Sequence, residues 1–107
     1  MRTAITATGN KSDSLIDTKF GRCSFFVIYD SETGSVEYIP NPFVDVEESA
    51  GADSVKLLSA RGVKQIIAGD FGSKIKPALD SLKIRMIVIK DAGKKISEIL
   101  ELLEKNK

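Results

Sequence analysis

The sequence predicts a single α/β domain, spanning residues 1–107, on a five-stranded mixed sheet flanked by three helices. Three observations lead there. A hairpin signal joins apolar strands in the first half of the chain, and the second half alternates strand-like runs with helix-like ones. The length of 107 residues suits one domain and one core. Hydrophobic residues make up 42% and charged residues 29%, which excludes a disordered chain.

The first strand is Arg2 to Thr8, β-branched and small, ending at Gly9-Asn10. A polar stretch runs on to Cys23. Ser24 to Tyr29 is apolar on both faces, as a central strand requires. Asp30-Ser31-Glu32-Thr33-Gly34 reads as a tight turn with Gly34 at positive φ. The third strand, Ser35 to Ile39, is stopped by Pro40 and suits an edge. Ala50 to Arg61 is a helix with Ala52, Val55 and Leu58 in one stripe and Gly62 at its C-terminal cap. Val63 to Ala68 is a strand closed by Gly69. The second helix starts at Ser73 or Lys76 and ends at Leu82, with Pro77 in its first turn. Ile84 to Ile89 is the last strand. Lys94 to Lys105 is the last helix, with Ile96, Ile99, Leu100 and Leu103 on one face and Glu98, Glu101 and Glu104 on a solvated side.

Strands separated by helices pair in parallel through right-handed crossovers, and the hairpin makes strand 2 antiparallel. The simplest sheet order is 3-2-1-4-5, the topology of a ribonuclease H-like motif. A crevice then opens where the order reverses, at the carboxyl ends of strands 1 and 4. Gly9-Asn10-Lys11-Ser12 and Gly69-Asp70-Phe71-Gly72-Ser73 both leave the sheet there. The connection from strand 1 to strand 2 takes about fifteen residues where a hairpin needs a few, which marks it as an ordered, functional loop.

Composition removes several functions. Sixteen Lys and Arg balance fifteen Asp and Glu to a net charge of +1, so no basic excess calls for nucleic acid. The longest apolar run, Phe25 to Tyr29, is far too short to span a bilayer. One cysteine fits a reducing compartment, and the expected location is cytoplasmic. With no histidine, Ser-His-Asp and Cys-His catalysis and most zinc sites are unavailable within the chain. Strand 1 carries no carboxylate, so the two-metal nuclease chemistry known on this topology cannot be assembled.

The densest chemistry is Asp17-Thr18-Lys19-Phe20-Gly21-Arg22-Cys23. Cys23 beside Arg22 is either a thiolate ligand or a small hydrophobe packed at the start of strand 2. Lys19 and Arg22 can attract an anion or simply sit in water, and Phe20 anchors the loop. Gly69-Asp70-Phe71-Gly72 can offer backbone N–H groups, though it matches no phosphate or dinucleotide fingerprint. Asp45, Glu47 and Glu48 read as a solvated acidic patch before the first helix.

At Ile16-Asp17, Phe20-Gly21-Arg22-Cys23 and Phe25-Phe26-Val27-Ile28-Tyr29-Asp30 the chain resembles the dinitrogenase iron-molybdenum cofactor biosynthesis family. These are NifX-type domains, also found fused to the cofactor-assembly protein NifB. Asn41-Pro42, Ala50-Gly51-Ala52, Gly62-Val63, Ile67-Ala68-Gly69 and Gly72 follow in family order, so the resemblance covers nearly the whole chain. It implies a non-enzymatic domain that binds or carries an iron–sulfur or iron-molybdenum cofactor precursor cluster and meets cofactor-assembly proteins. Crevice and resemblance together nominate Asn10, Asp17, Lys19, Phe20, Gly21, Arg22, Cys23, Gly69 and Gly72 as cofactor-binding residues, with Cys23 as metal ligand. Members tied to nitrogenase often carry His directly before this Phe-Gly, where Lys19 stands here. One Cys can supply a single bond to a finished cluster, not the four that usually hold one. The expected state is a monomer or weak homo-oligomer. The competing readings are a regulatory domain binding an anion or protein at the crevice, and a redox enzyme using Cys23.

Overall fold

The first strand becomes the centre of the sheet because its residues are small or β-branched on both faces and are buried from Thr3 to Ala7. The computed structural model describes residues 1–46, 49–72 and 74–106. Its elements are β1 (Arg2–Ala7), β2 (Phe25–Asp30), β3 (Val36–Pro40), α1 (Ala50–Ala60), β4 (Val63–Ala68), α2 (Lys76–Ser81), β5 (Arg85–Val88) and α3 (Ile96–Lys105). The sheet order is β3-β2-β1-β4-β5, as the topology argument predicts. β1 pairs antiparallel with β2 and parallel with β4, and β5 extends the parallel half. Gly34 and Gly62 take φ of 76° and 78°, as their turn and cap positions require.

The two faces bury separate cores. Ala4, Phe26, Ile28 and Ile66 pack with Val55 and Leu58 of α1 and Leu79 of α2. On the other face Ile5, Val27 and Ile67 pack with Ile96 and Ile99 of α3. Each of the large aliphatic and aromatic side chains among them contributes roughly 1.5–3 kcal/mol of transfer free energy.

Some expectations are corrected. The buried stripe of α1 is Ala50, Ser54, Val55 and Leu58; Ala52 is exposed. Ser54 is fully buried, and its hydroxyl has no hydrogen-bond partner. Helix α2 starts at Lys76 with Pro77 in its first turn. The alternative start at Ser73, and Glu47 and Glu48 of the acidic patch, lie outside the described residues. Glu104 is not merely solvated: its Oε1 accepts a hydrogen bond from the Tyr29 hydroxyl at 2.8 Å.

Candidate functional site

The residues 9–23 connection does two separate jobs. Its first half folds toward α3, where the Ser14 and Ser12 carbonyls accept from the backbone N–H groups of Ile96 and Ser97 at 2.9 and 2.8 Å. Those carbonyls satisfy donors that every helix start leaves open. Asn10 lies exposed in this half. The second half enters the crevice. Asp17 N–H donates to the Thr6 carbonyl at 2.9 Å, and Asp17 O accepts from Gly69 N–H at 3.2 Å and from Thr6 Oγ1 at 2.9 Å. Loop backbone therefore fills the gap between β1 and β4. A Cβ on Gly69 would stand 2.7 Å from Thr18 Cα, so this position has room only for glycine.

Beside the filled switch point an open cleft lies toward α1. The Phe20 N–H donates to the Asp70 carbonyl at 2.9 Å, and the Phe20 ring lies 5.4 Å from Phe71 and 6.2 Å from Phe26. Phe20 and Phe71 form the floor of two adjoining hollows of about 510 and 240 Å³, which share Phe20, Arg22, Phe71 and Gly72. The larger is walled by Ser49–Ala52, Lys74 and Ile75, and the smaller by Lys19 and Asp70. The first turn of α1 is thus one wall, with the positive end of the helix dipole facing the cleft. Gly21 (φ 90°) lets the loop reach it: a Cβ there would meet Gly51 backbone at 2.9 Å. The Asp70 carboxylate closes a turn by accepting from Gly72 N–H at 3.0 Å.

Arg22 spans the cleft edge and donates to the carbonyls of Val44 and Val46. The exposed Lys19 and Lys74 bring positive charge to the two hollows. Cys23 is placed otherwise. It is 0% exposed, packed in the α1-side core behind the floor. Burial, reinforced by the nearby Asp17 charge, pushes its pKa up to about 12, so at neutral pH it is a thiol. Asn41, which sequence reasoning passed over except as part of a motif, fixes this segment. Its buried Nδ2 donates to the carbonyls of Gly21 and Cys23 at 2.8 and 2.9 Å. The structure therefore gathers Lys19, Phe20, Arg22 and Gly72 at the cleft. Asp17, Gly21 and Cys23 form the scaffold behind it, and Gly69 lines a separate hollow of about 520 Å³ with Thr18, Asp70, Val88 and Lys90. Among the wall residues, Ala50-Gly51-Ala52 enters the sequence reading as part of the family resemblance, and Ser49 and Lys74 are not singled out there. Among the described residues no group of three or more Cys, Asp or Glu could hold a metal ion.

Fold and cleft together define a ribonuclease H-like α/β domain with an open, cation-edged hollow beside its switch point. The profile of the family described as dinitrogenase iron-molybdenum cofactor matches residues 1–106. The chain belongs to that family. Comparison with curated proteins finds no match. Among solved structures it is similar to the apo form of the orange protein from Desulfovibrio gigas, with 27% identity and a TM-score of 0.87 over 98% of this chain and 88% of that one. A Thermotoga protein described as a NifB candidate shares 27% identity at a TM-score of 0.81, covering 97% and 87% of the two chains. A dinitrogenase candidate from Methanocaldococcus jannaschii, 20% identical with a TM-score of 0.62 over 99% and 89%, shares the fold. Among the described residues no helix is long and apolar enough to cross a membrane.

Proposed function

We propose that this domain is a non-catalytic carrier of an anionic iron–sulfur or iron-molybdenum cofactor precursor cluster, working in the cytoplasm alongside cofactor-assembly proteins. The observation that carries the reading is the cleft itself. In a chain matched along its length by a cofactor family, it gathers the exposed Lys19 and Lys74 over an aromatic floor. A preformed anionic cluster needs charge and shape from its carrier rather than a full set of thiolates. The cations supply the charge, Phe20 and Phe71 a polarisable surface, and the α1 wall its dipole. Hydrogen bonds from Lys19 and Lys74 to cluster sulfides complete the hold. Direct ligation by Cys23 would require the loop to open and the buried thiol to lose its proton.

Anaerobic titration with a preformed cluster tests this by the appearance of protein-bound visible absorbance. The double variant Lys19→Glu, Lys74→Glu is expected to weaken binding at least tenfold, about 1.4 kcal/mol, with unchanged urea melts because both side chains are exposed. Cys23→Ser is expected to bind the cluster as the parent does once allowance is made for its lower stability. Failure of the parent to take up any cluster overturns the carrier reading and favours a domain that binds another anion or a protein at the cleft.

A further inference from the structure

One register row of the sheet breaks the apolar pattern at the end opposite the cleft. Tyr29, Thr3, Gln65 and Arg85 are in-register partners across β2, β1, β4 and β5. On the same face the next row, Val27, Ile5, Ile67 and Ile87, is wholly apolar and packs beneath α3. The polar row lies beside the last turn of α3, and all four of its members line a cavity of about 330 Å³ closed by Leu103 and Asn106.

This row is costly as pure structure. Thr3, Tyr29 and Gln65 are 2%, 2% and 4% exposed in the middle of a sheet that elsewhere uses Ile and Val. Gln65 Nε2 donates to Thr3 Oγ1 at 2.8 Å, and the Tyr29 hydroxyl is taken by Glu104. Among the described residues the Gln65 carboxamide oxygen, the Thr3 hydroxyl proton and the Arg85 guanidinium have no protein partner. The unused capacity of these side chains opens on the cavity, where water or a ligand meets it.

The remaining donors choose the ligand. Arg85 with its planar fork, Gln65 with a second N–H and Thr3 with its hydroxyl line one cavity from adjacent strands, a set of donors suited to a carboxylate. Ile87 and Leu103 supply an apolar wall. Glu104 and the negative end of the α3 dipole disfavour an anion at the β2 side, which leaves the carboxylate at Arg85 and the body over Leu103. We propose that this cavity is a second binding site, separate from the cleft, for a small carboxylate with an apolar body.

NMR titration of the full chain with hexanoate, and with hexanamide as its uncharged twin, tests the assignment. Hexanoate is expected to move the side-chain amide signals of Gln65 and Asn106 saturably, leaving the backbone amide signals of Gly72 and Lys74 in place. Binding is expected to fall at least tenfold with hexanamide, and as far in Arg85→Gln. Gln65→Glu keeps the shape of the floor and lets the Thr3 hydroxyl donate, yet should exclude hexanoate by charge. Absence of saturable shifts overturns the proposal, as does undiminished hexanoate binding in Arg85→Gln. So does occupation of the cavity by inorganic phosphate in preference to hexanoate.

Discussion

Cys23 illustrates how far one residue's chemistry depends on its surroundings. Beside Arg22 in the sequence it has the neighbour that activates a thiol, but Arg22 turns outward to the Val44 and Val46 carbonyls while Cys23 turns inward. The two residues lie in the turn that leads into β2, where Asn41 holds the Gly21 and Cys23 carbonyls and keeps the thiol on the core side. A thiol-specific reagent is expected to leave the native protein unlabelled and to react only as it unfolds, the two rates coinciding in urea. Its raised pKa also has a sign. The folded chain holds the proton up to about pH 12 whereas the unfolded chain releases it near 9.0, so this stability is full below pH 9.0 and is lost as pH rises toward 12. Tyr29, whose hydrogen bond to Glu104 raises its pKa, acts in the same direction. Urea melts of the parent and Cys23→Ala at neutral pH and at about pH 11 separate the two, since only the parent carries the Cys23 part. Gly69 depends on its neighbours in another way. Gly69→Ala drives a methyl into Thr18 backbone and is expected to destabilise by about 2 kcal/mol in a denaturant melt.

At the scale of elements, the strands and helices were legible because each is written as a periodicity. Four-residue burial in β2 and the i, i+3, i+4, i+7 face of α3 are visible without coordinates. The 9–23 loop was legible as an ordered segment from its length and its Ile16 and Phe20, but its division of labour was not. The bonds from Asp17 to Thr6 and Gly69, and from Ser12 and Ser14 to α3, use backbone groups that every residue possesses. Nothing in the side chains announces them. Helix α1 shows the reverse problem, since Ser54 looks like a surface residue and is buried without a partner. Ser54→Ala removes an unsatisfied hydroxyl and improves helix propensity, so it is expected to stabilise the protein by about 1 kcal/mol in the same melts.

For the molecule as a whole, the sheet order followed from connection rules alone, and the crevice from the order. The Asp17 backbone occupies the switch point, and open hollows flank it on two sides, one between Phe20, Phe71 and α1 and one beside Thr18, Gly69 and Lys90. Rules about topology locate the end of the sheet where ligands bind, and packing decides which wall of that end stays open. The polar row from Tyr29 to Arg85 lies at the other end, where those rules direct no attention.

The central position of β1 also bears on how the chain leaves the ribosome. Residues 1–40 can pair as β1, β2 and β3 as soon as they emerge, yet the other edge of β1 stays bare until β4 ends at Ala68. At about 5–20 residues per second this interval lasts roughly 1–6 s. Through that time the nascent chain presents Thr3 to Ala7 as an unpaired strand edge, the feature most prone to pairing with a neighbouring chain. Polysomes crowded with this message therefore expose it to aggregation during translation, a hazard the finished sheet no longer carries at that strand.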